Sequence, residues 1–369
     1  MGIADAKEGI NYLKKQTDFD MVIKSPPIKK ELITVPYTTA TNIFFSKVKG
    51  VNTIIGVTGS KGKSTTSTLI HEILKATGKD VEFLGNIGRP MMEALMAPIP
   101  KSRIFVLELS SYQLEDIKFS PDISVVTNLF PEHLDHHETL KKYYAAKKNI
   151  INFQNTNSHF IYNPTNKEMA KWLKDYQGKA TPFSTGKFES NLIGQHNQSN
   201  IGAAVSVAKI LGIPQEIITE TIKHFKGLPH RLELVGEYNG ITFYDDAIST
   251  TPESTIEAIK ALQGKPQAGA ELYPQIGTIF LGGQDRGYHF IQLEKVIKQY
   301  KIKNVVLFPD SGKNIIKHPA GLNILKTKSM KDAVAFAYKH TLPGQICLLS
   351  CASPSYSLWK NFEEKGDQF

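Results

Sequence analysis

The run Gly59-Ser60-Lys61-Gly62-Lys63-Ser64-Thr65 has the composition of a phosphate cradle. It lies between NTIIGVTG, an apolar stretch from Asn52 that reads as a strand, and a segment from about Ser64 to Ala76 that reads as a helix. That is the setting a phosphate-binding loop requires. Backbone N–H groups of the turn and of the helix N-terminus then face the phosphates, Lys63 reaches the terminal ones, and the Ser64 hydroxyl is placed for magnesium. The full G-x-x-x-x-G-K-[ST] pattern is not met, because Val57 stands where the first glycine belongs. A second candidate is Glu108, which closes the apolar strand in VLELSSYQL. A carboxylate at the C-terminal end of a parallel strand, next to a phosphate loop, is where an α/β sheet holds a magnesium ligand. Taken alone, such a glutamate is more often a solvated strand end. Arginine supplies a third signal, since Arg89, Arg103, Arg231 and Arg286 are the only four beside a large excess of lysine. The planar guanidinium grips oxyanions in a way lysine cannot, so each of the four is a candidate for that task.

These groups need elements to hold them. Short apolar runs at Ile104 to Leu109 and Ile123 to Asn128 read as buried parallel strands, and apolar 3.6-residue spacing marks helices at about Leu140 to Phe153, Asn200 to Leu211 and Gln215 to Phe225. The alternation predicts a doubly wound, mostly parallel α/β domain over residues 51–228. Around GLPHR (Gly227 to Arg231) the pattern changes to two strands joined by an Asn239-Gly240 hairpin turn. Helix TPESTIEAIKAL, strand TIFLGG, helix FIQLEKVIKQY, strand NVVLF, helix MKDAVAFAYKH and strand QICLLS follow, which predicts a second, Rossmann-like α/β domain over 229–369. Gln263 to Gln275, rich in Gly, Pro and Ala, reads as a surface loop. Residues 1–50 hold a short helix, an apolar strand DMVIKSPPI and a further helix-like stretch, too little for an independent core.

Length and composition agree with this division. A chain of 369 residues exceeds one ordinary core, and 41% hydrophobic with 21% charged residues is normal for a globular protein. No apolar run approaches the roughly 18 residues of a spanning helix, and the N-terminus has no signal-peptide core, so the expected location is the cytoplasm and no membrane partner is expected. Cys347 and Cys351 are too few for a disulfide framework and read as packed thiols. The net charge of +9 comes from lysines scattered in ones and twos, without the basic block or interleaved aromatics of a nucleic-acid groove. It suits a substrate carrying a diphosphate and carboxylates.

The motifs also carry a family resemblance. TGSKGKST resembles the phosphate loop of the Mur ligases, whose consensus likewise lacks the first Walker glycine; ELSSYQL resembles the ELSSFQL of the D-glutamate-adding members. GNIG (Gly85 to Gly88) and TNLFPEHLDHH resemble the next two signatures. The resemblance implies that residues Gly59 to Thr65 bind nucleotide, that Glu108 and His133 ligate a second magnesium, and that Asn86 contacts the reacting substrate. His133 by itself is an ordinary loop histidine, because imidazole is an unusual partner for magnesium. YYAAKKNI matches the segment whose lysine, here Lys147, is carbamylated, which turns a cation into an oxygen ligand for a hard metal. With Ser64 these residues complete the implied metal set. GQHNQSNIGAA matches the segment in which His196, Asn197 and Asn200 lie close to the nucleotide, while Asn197 also reads as a helix N-cap.

Further along, GLPHRLE resembles the segment whose arginine, Arg231, contacts ATP phosphate, and YDDAISTTPEST the one whose acid, Asp246, helps hold the nucleotide. Where D-glutamate-adding members commonly carry lysine two residues later, this chain has Ile248. LGGQDRG puts Arg286 at the position of a lysine that meets the incoming amino acid's carboxylate, and LLSCASPSYSLWKNFEEKGDQF aligns Ser355 and Phe362 with the D-glutamate pocket. The match runs from Asn52 to Phe369.

What the resemblance implies is an ATP-dependent acid–amino-acid ligase of peptidoglycan precursor synthesis. It would act as a monomer through an acyl phosphate, using ATP and two Mg2+ ions, with UDP-N-acetylmuramoyl-L-alanine and D-glutamate as substrates. Lys63, His133, Lys147 and Arg231 form the implied catalytic set. Full-length members begin with a uridine-diphosphate-binding domain around a glycine-rich turn; here only SPPI (Ser25 to Ile28) resembles its end, so residues 1–50 read as a remnant of it. Another Mur or folylpolyglutamate-type ligase, and an ATP-binding paralogue without ligase activity, remain open alternatives.

Overall fold

The computed structural model describes residues 11–263 and 274–369, so most of the loop expected at Gln263 to Gln275 lies outside the described residues. The chain forms two compact units, one running to Ser190 and including His196–Phe225, the other made of Asn191–Gln195 and Lys226–Phe369. Two short strands near the start, β1 (Val22–Lys24) and β2 (Tyr37–Thr39), pair in parallel. Only Val22–Lys24 of the expected strand DMVIKSPPI is extended in this way, since the Ser25-Pro26-Pro27 run that follows cannot continue a ladder.

The first unit is built on a six-stranded parallel sheet. Its strands are β3 (Thr53–Thr58), β4 (Val81–Gly85), β5 (Ile104–Glu108), β6 (Ile123–Val126), β7 (His159–Tyr162) and β8 (Lys179–Pro182), in the order β4-β5-β3-β6-β7-β8. β3 is central, and five of its six residues are buried, as expected for a strand covered on both faces. The chain leaves β3 towards β4 on one side and later crosses to β6 on the other, so β3 marks the reversal of winding at whose C-terminal end α/β sheets bind ligands. Register carries Val57 opposite Glu108 of β5, and Thr58 opposite Val126 of β6, so three strand ends meet there.

The helix after β3, Lys63–Lys75, buries Leu69, Ile70, Ile73 and Leu74. Helix Leu140–Asn152 is capped by the Thr139 side chain, which accepts from the Lys142 N–H, and buries Tyr143, Ala146, Lys147, Ile150 and Ile151. That i, i+3, i+4, i+7, i+8 stripe places an amine among apolar residues. Helix Ala40–Val48 also belongs to this core, with Phe44 and Phe45 fully buried and Phe44 edge-on to Phe105 at 5.0 Å.

The second unit holds a six-stranded sheet of β9 (Glu233–Tyr238), β10 (Ile241–Asp245), β11 (Ile276–Gly282), β12 (Asn304–Phe308), β13 (Asn323–Lys326) and β14 (Ile346–Leu349), ordered β13-β12-β11-β14-β10-β9. All pairs are parallel except the β9–β10 hairpin. Asn239 and Gly240 form its turn with φ of 53° and 75°, the two positive values that a tight type I′ turn demands. Apolar clusters line both faces, one containing Ile259, Leu281 and Leu293, the other Phe280, Phe308 and Ala333.

The sequence reading did not anticipate β4, β7, β8 or β13. β8 and β13 are edge strands, KATP and NILK, without a single buried residue, and so lack the apolar run that betrays a central strand. Among the described residues no helix is long and apolar enough to cross a membrane.

Candidate active site

The phosphate loop follows β3 and opens helix Lys63–Lys75. Gly62 caps the helix with φ of 84°, and a Cβ on it would fall 2.2 Å from Asn200 Oδ1. Gly59 has φ of 150°, and its Cβ would lie 2.0 Å from Thr127 Oγ1. Backbone thus passes so close to neighbouring side chains that only glycine fits at either position. The segment after β6 braces the loop: Ser60 N–H donates to Asn128 O at 2.9 Å, Lys61 N–H to Asn128 Oδ1 at 2.8 Å, and Thr127 Oγ1 to Lys61 O at 2.6 Å. Ser60 Oγ accepts from Phe130 N–H at 2.8 Å and lies 2.9 Å from the Tyr143 hydroxyl. Lys63 Nζ folds back over its own loop and donates to Gly59 O at 3.0 Å and Ser60 O at 3.1 Å. Ser64, buried, and Thr65, half-buried, occupy the first turn of the helix.

Next to this loop sits Glu108, 1% exposed. Its Oε1 accepts from Asn86 Nδ2 at 3.0 Å, and its Oε2 is buried with no hydrogen-bond partner. A buried carboxylate oxygen left without a donor is costly, and a cation is what would offset it. Carboxylate and hydroxyl oxygens are the donor types a hard magnesium ion prefers, so Glu108 and Ser64 fit that role. Lys147 as an ammonium does not fit, because it would repel the ion. Its Nζ is 2.9 Å from Gly59 O and 3.4 Å from Thr58 Oγ1, inside a pocket that leaves the residue 1% exposed. Burial first, and the Lys63 charge second, push its pKa well below the usual lysine value, against the opposing pull of Glu132 and Glu108. An amine held this way loses its proton more readily than an exposed lysine.

His133 adopts left-handed φ and ψ of 54° and 35° just before the short helix Leu134–His137. Its Nδ1 lies 3.1 Å from the Tyr112 hydroxyl, and although solvent reaches the residue, the protein packed against the ring lowers its pKa, with Lys147 and Lys63 adding to the effect against Glu132. Asn197 is not an N-cap, because helix Gln195–Ile210 begins five residues before the expected Asn200 and already includes it. Instead its Oδ1 accepts from Asn200 Nδ2 at 3.0 Å, and Asn200 packs on Gly62. His196 is exposed in the same first turn. The first unit therefore gathers Gly59 to Thr65, Asn86, Glu108, Lys147 and Asn200 around the end of β3. Thr127, Asn128, Tyr112 and Tyr143 join them as bracing groups that sequence reasoning did not single out; the TN of TNLF directly after an apolar strand was the available signal.

In the second unit Arg231 is half-buried between His230 and Leu232, both of positive φ at 59° and 50°. The adjoining acids are structural locks as well as candidate ligands. Asp245 Oδ2 lies 2.6 Å from His230 Nδ1, while Asp246 accepts from Leu232 N–H at 3.2 Å and from Ser350 Oγ at 2.7 Å. Ile248 donates its N–H to His230 O at 3.2 Å. Arg286 is exposed, with Nε 3.3 Å from Gln284 Oε1. Ser355 is buried and its Oγ has no hydrogen-bond partner, and the Phe362 ring stands edge-on to His230 at 6.0 Å.

Burial raises the Asp246 pKa from 3.8 to about 6, against hydrogen bonds from Ser249, Ser350 and Leu232 that lower it. Because the folded pKa lies above the unfolded one, the carboxyl's contribution to stability is fully present below pH 3.8 and is lost as the pH rises through about 6. The loss amounts to about 3 kcal/mol, since each tenfold change in proton affinity is worth about 1.4 kcal/mol. Asp246→Asn, which keeps an acceptor for Leu232, is therefore expected to flatten the fall in unfolding free energy between about pH 4 and pH 7. Chemical denaturation at the two pH values checks this, and an unchanged slope would refute it.

Comparison with known proteins adds to this geometry. The sequence pattern of the Mur ligase middle domain matches residues 57–187, the stretch that carries the loop, Glu108, His133 and Lys147. The UDP-N-acetylmuramoylalanine--D-glutamate ligase of Streptococcus agalactiae serotype III (strain NEM316) is 34% identical, over 95% of this chain and 82% of the relative. The enzyme of the same name from Geobacillus kaustophilus (strain HTA426) is also 34% identical, with the same coverage. Among solved structures, the MurF ligase of Thermotoga maritima in complex with ADP superposes with a TM-score of 0.68 at 17% identity, covering 94% of this chain and 87% of its own. The UDP-N-acetylmuramate-alanine ligase MurC of the same organism gives 0.62 at 18%, covering 95% and 84%. The structural likeness, at such low identity, speaks for the fold. With a third of residues identical to those two relatives across nearly the whole chain, and the loop and its carboxylate in place, this chain belongs to the Mur ligase family.

Proposed function

We propose that this ligase joins D-glutamate to UDP-N-acetylmuramoyl-L-alanine, in the cytoplasm, with ATP as the energy source. The observation that carries the reading is Glu108, a buried carboxylate with an unpartnered oxygen beside a glycine-cradled phosphate loop. The name shared by the relatives at 34% identity supports the choice of substrates. In the reaction a carboxylate oxygen of the L-alanyl group attacks the γ-phosphorus of ATP, and the bond to the bridging oxygen breaks to release ADP. The D-glutamate nitrogen then attacks the acyl carbon of the acyl phosphate, inorganic phosphate leaves, and the nitrogen gives up its proton to form the amide.

Residues 51–228 are assigned to ATP and residues 229–369 to the incoming amino acid. Backbone N–H groups around Gly59 to Thr65 would orient the phosphates, with Asn197, Asn200 and Asp246 assigned to the nucleotide. Lys63 would exchange its carbonyl partners for phosphate oxygens, and Arg231 would hold phosphate through its planar fork. Ser64, Glu108, His133 and a carbamylated Lys147 would hold two magnesium ions, which when bound neutralise phosphate charge. Asn86 is assigned to the acyl substrate, and Arg286, Ser355 and Phe362 to D-glutamate. The unpartnered Ser355 hydroxyl and the exposed Arg286 are suited to a carboxylate. Ile248, in place of the usual lysine, leaves that charge to other groups.

The test is ADP release by the purified chain with UDP-N-acetylmuramoyl-L-alanine, with and without D-glutamate. Release that needs both supports the reading. Turnover with L-glutamate, meso-diaminopimelate or D-Ala-D-Ala instead would assign another ligase specificity, and ATP binding without turnover would defeat the ligase reading.

A further inference from the structure

We propose that Glu115, His136 and His137 form a metal site separate from the magnesium residues, one that takes a divalent transition ion of the zinc or cobalt type. The three side chains come from two short helices, Ser111–Glu115 after β5 and Leu134–His137 after β6. One donor atom from each lies within 4.8 Å of the other two. His136 Nε2 is 3.0 Å from Glu115 Oε2, and His137 Nδ1 is 3.8 Å from Glu115 Oε1. These separations run to the two oxygens of one carboxylate and lie near the roughly 3.4 Å that divides two ligands about 2.1 Å from a tetrahedral ion.

The second observation is His137 itself. It is 2% exposed, and its Nδ1 is buried without a hydrogen-bond partner, on the side that faces the Glu115 carboxylate. Its Nε2 lies 3.0 Å from Ser111 Oγ. If Nε2 carries the proton and donates to Ser111, the lone pair of Nδ1 is directed at the carboxylate, which is how an outer hydrogen bond sets a metal-binding tautomer. Donor chemistry separates this cluster from the magnesium residues: two imidazoles and one carboxylate suit zinc and its neighbours, whereas magnesium prefers oxygen. The side chains are 8% (His136), 0% (His137) and 20% (Glu115) exposed, so the cluster is largely sheltered and open to solvent at the carboxylate. An ion here would tie the segment carrying His133 to the helix carrying Tyr112, whose hydroxyl already meets His133.

The test titrates the full chain with Co2+ in the presence of saturating Mg2+ and follows the visible ligand-field bands. The expected result is binding of one ion per chain, displaced by Zn2+, with affinity reduced at least about tenfold in both Glu115→Gln and His136→Gln. Glu108→Gln should leave the bands in place. Circular dichroism of the metal-free variants verifies that they fold. Absence of cobalt binding under excess Mg2+, bands that survive either Glu115→Gln or His136→Gln in a folded protein, or bands abolished by Glu108→Gln, would each overturn the proposal.

Discussion

Glu108→Gln is expected to lower ligase turnover by about a thousandfold while leaving the metal-free protein at least as stable as its parent. The two effects have one cause. Glu108 is 1% exposed, and of its two oxygens only Oε1 has a donor, the Asn86 amide at 3.0 Å. In the metal-free protein the ionised group is thus under-solvated, and glutamine, which keeps an oxygen for Asn86 and removes the charge, relieves that cost. The neutral amide offers a metal much less. Charge neutralisation at transferring phosphate is worth several kcal/mol, and about 4 kcal/mol corresponds to a thousandfold in rate. Thermal melts with and without Mg2+, beside ADP release, separate the contributions. The parent should gain stability from Mg2+ and the variant little or none. A variant that loses several degrees without metal, or that keeps full turnover, would show that Glu108 serves the fold and not the ion.

How much of this could be read from sequence depended on how local each signal was. The glycine loop is a contiguous run between a strand and a helix, and Glu108 ends a strand, so both stand out before any fold is known. The hairpin of the second unit was announced by Asn239-Gly240 for the same reason. By contrast, Asn128 and Thr127 brace Lys61 from 66 or 67 residues away, through a parallel register that pairs Thr58 with Val126. No local pattern carries that information. Edge strands β8 and β13 escape notice because they bury nothing, and Asn197 reads as a helix cap because the polar run QHNQSN hides a first turn that starts at Gln195. The Glu115–His136–His137 cluster is similarly invisible in sequence, since its carboxylate and imidazoles are 21 and 22 residues apart. Lys147 is the instructive intermediate. Its segment read as helix, but taken alone Lys147 read as a solvated lysine and only the family resemblance singled it out; the structure is what buries it on the Tyr143, Ala146, Ile150, Ile151 stripe, where a lysine is a signal of unusual chemistry.

Lys147→Met is accordingly expected to fold and to lose turnover by at least about a hundredfold, and turnover of the parent is expected to depend on dissolved carbon dioxide. Methionine fills a similar unbranched volume on the helix stripe but cannot react. The parent amine must shed its proton before its nitrogen attacks carbon dioxide, giving a carbamate and releasing a proton. Burial and the neighbouring Lys63 charge both favour the neutral amine, so the reaction is expected at Lys147 where an exposed lysine would stay protonated. The product would carry a negative charge where a positive one stood, next to the Gly59 carbonyl and within the field of Lys63, and so would reverse the site from repelling a cation to attracting one. Removing dissolved carbon dioxide from the parent should therefore lower turnover, and added bicarbonate should restore it, whereas the methionine variant should respond to neither. Labelled bicarbonate gives a direct check through a carbamate carbon resonance in the parent that the variant lacks. Full activity of Lys147→Met, or a parent indifferent to bicarbonate and without that resonance, would mean that Lys147 acts as a buried amine holding the phosphate loop through Gly59.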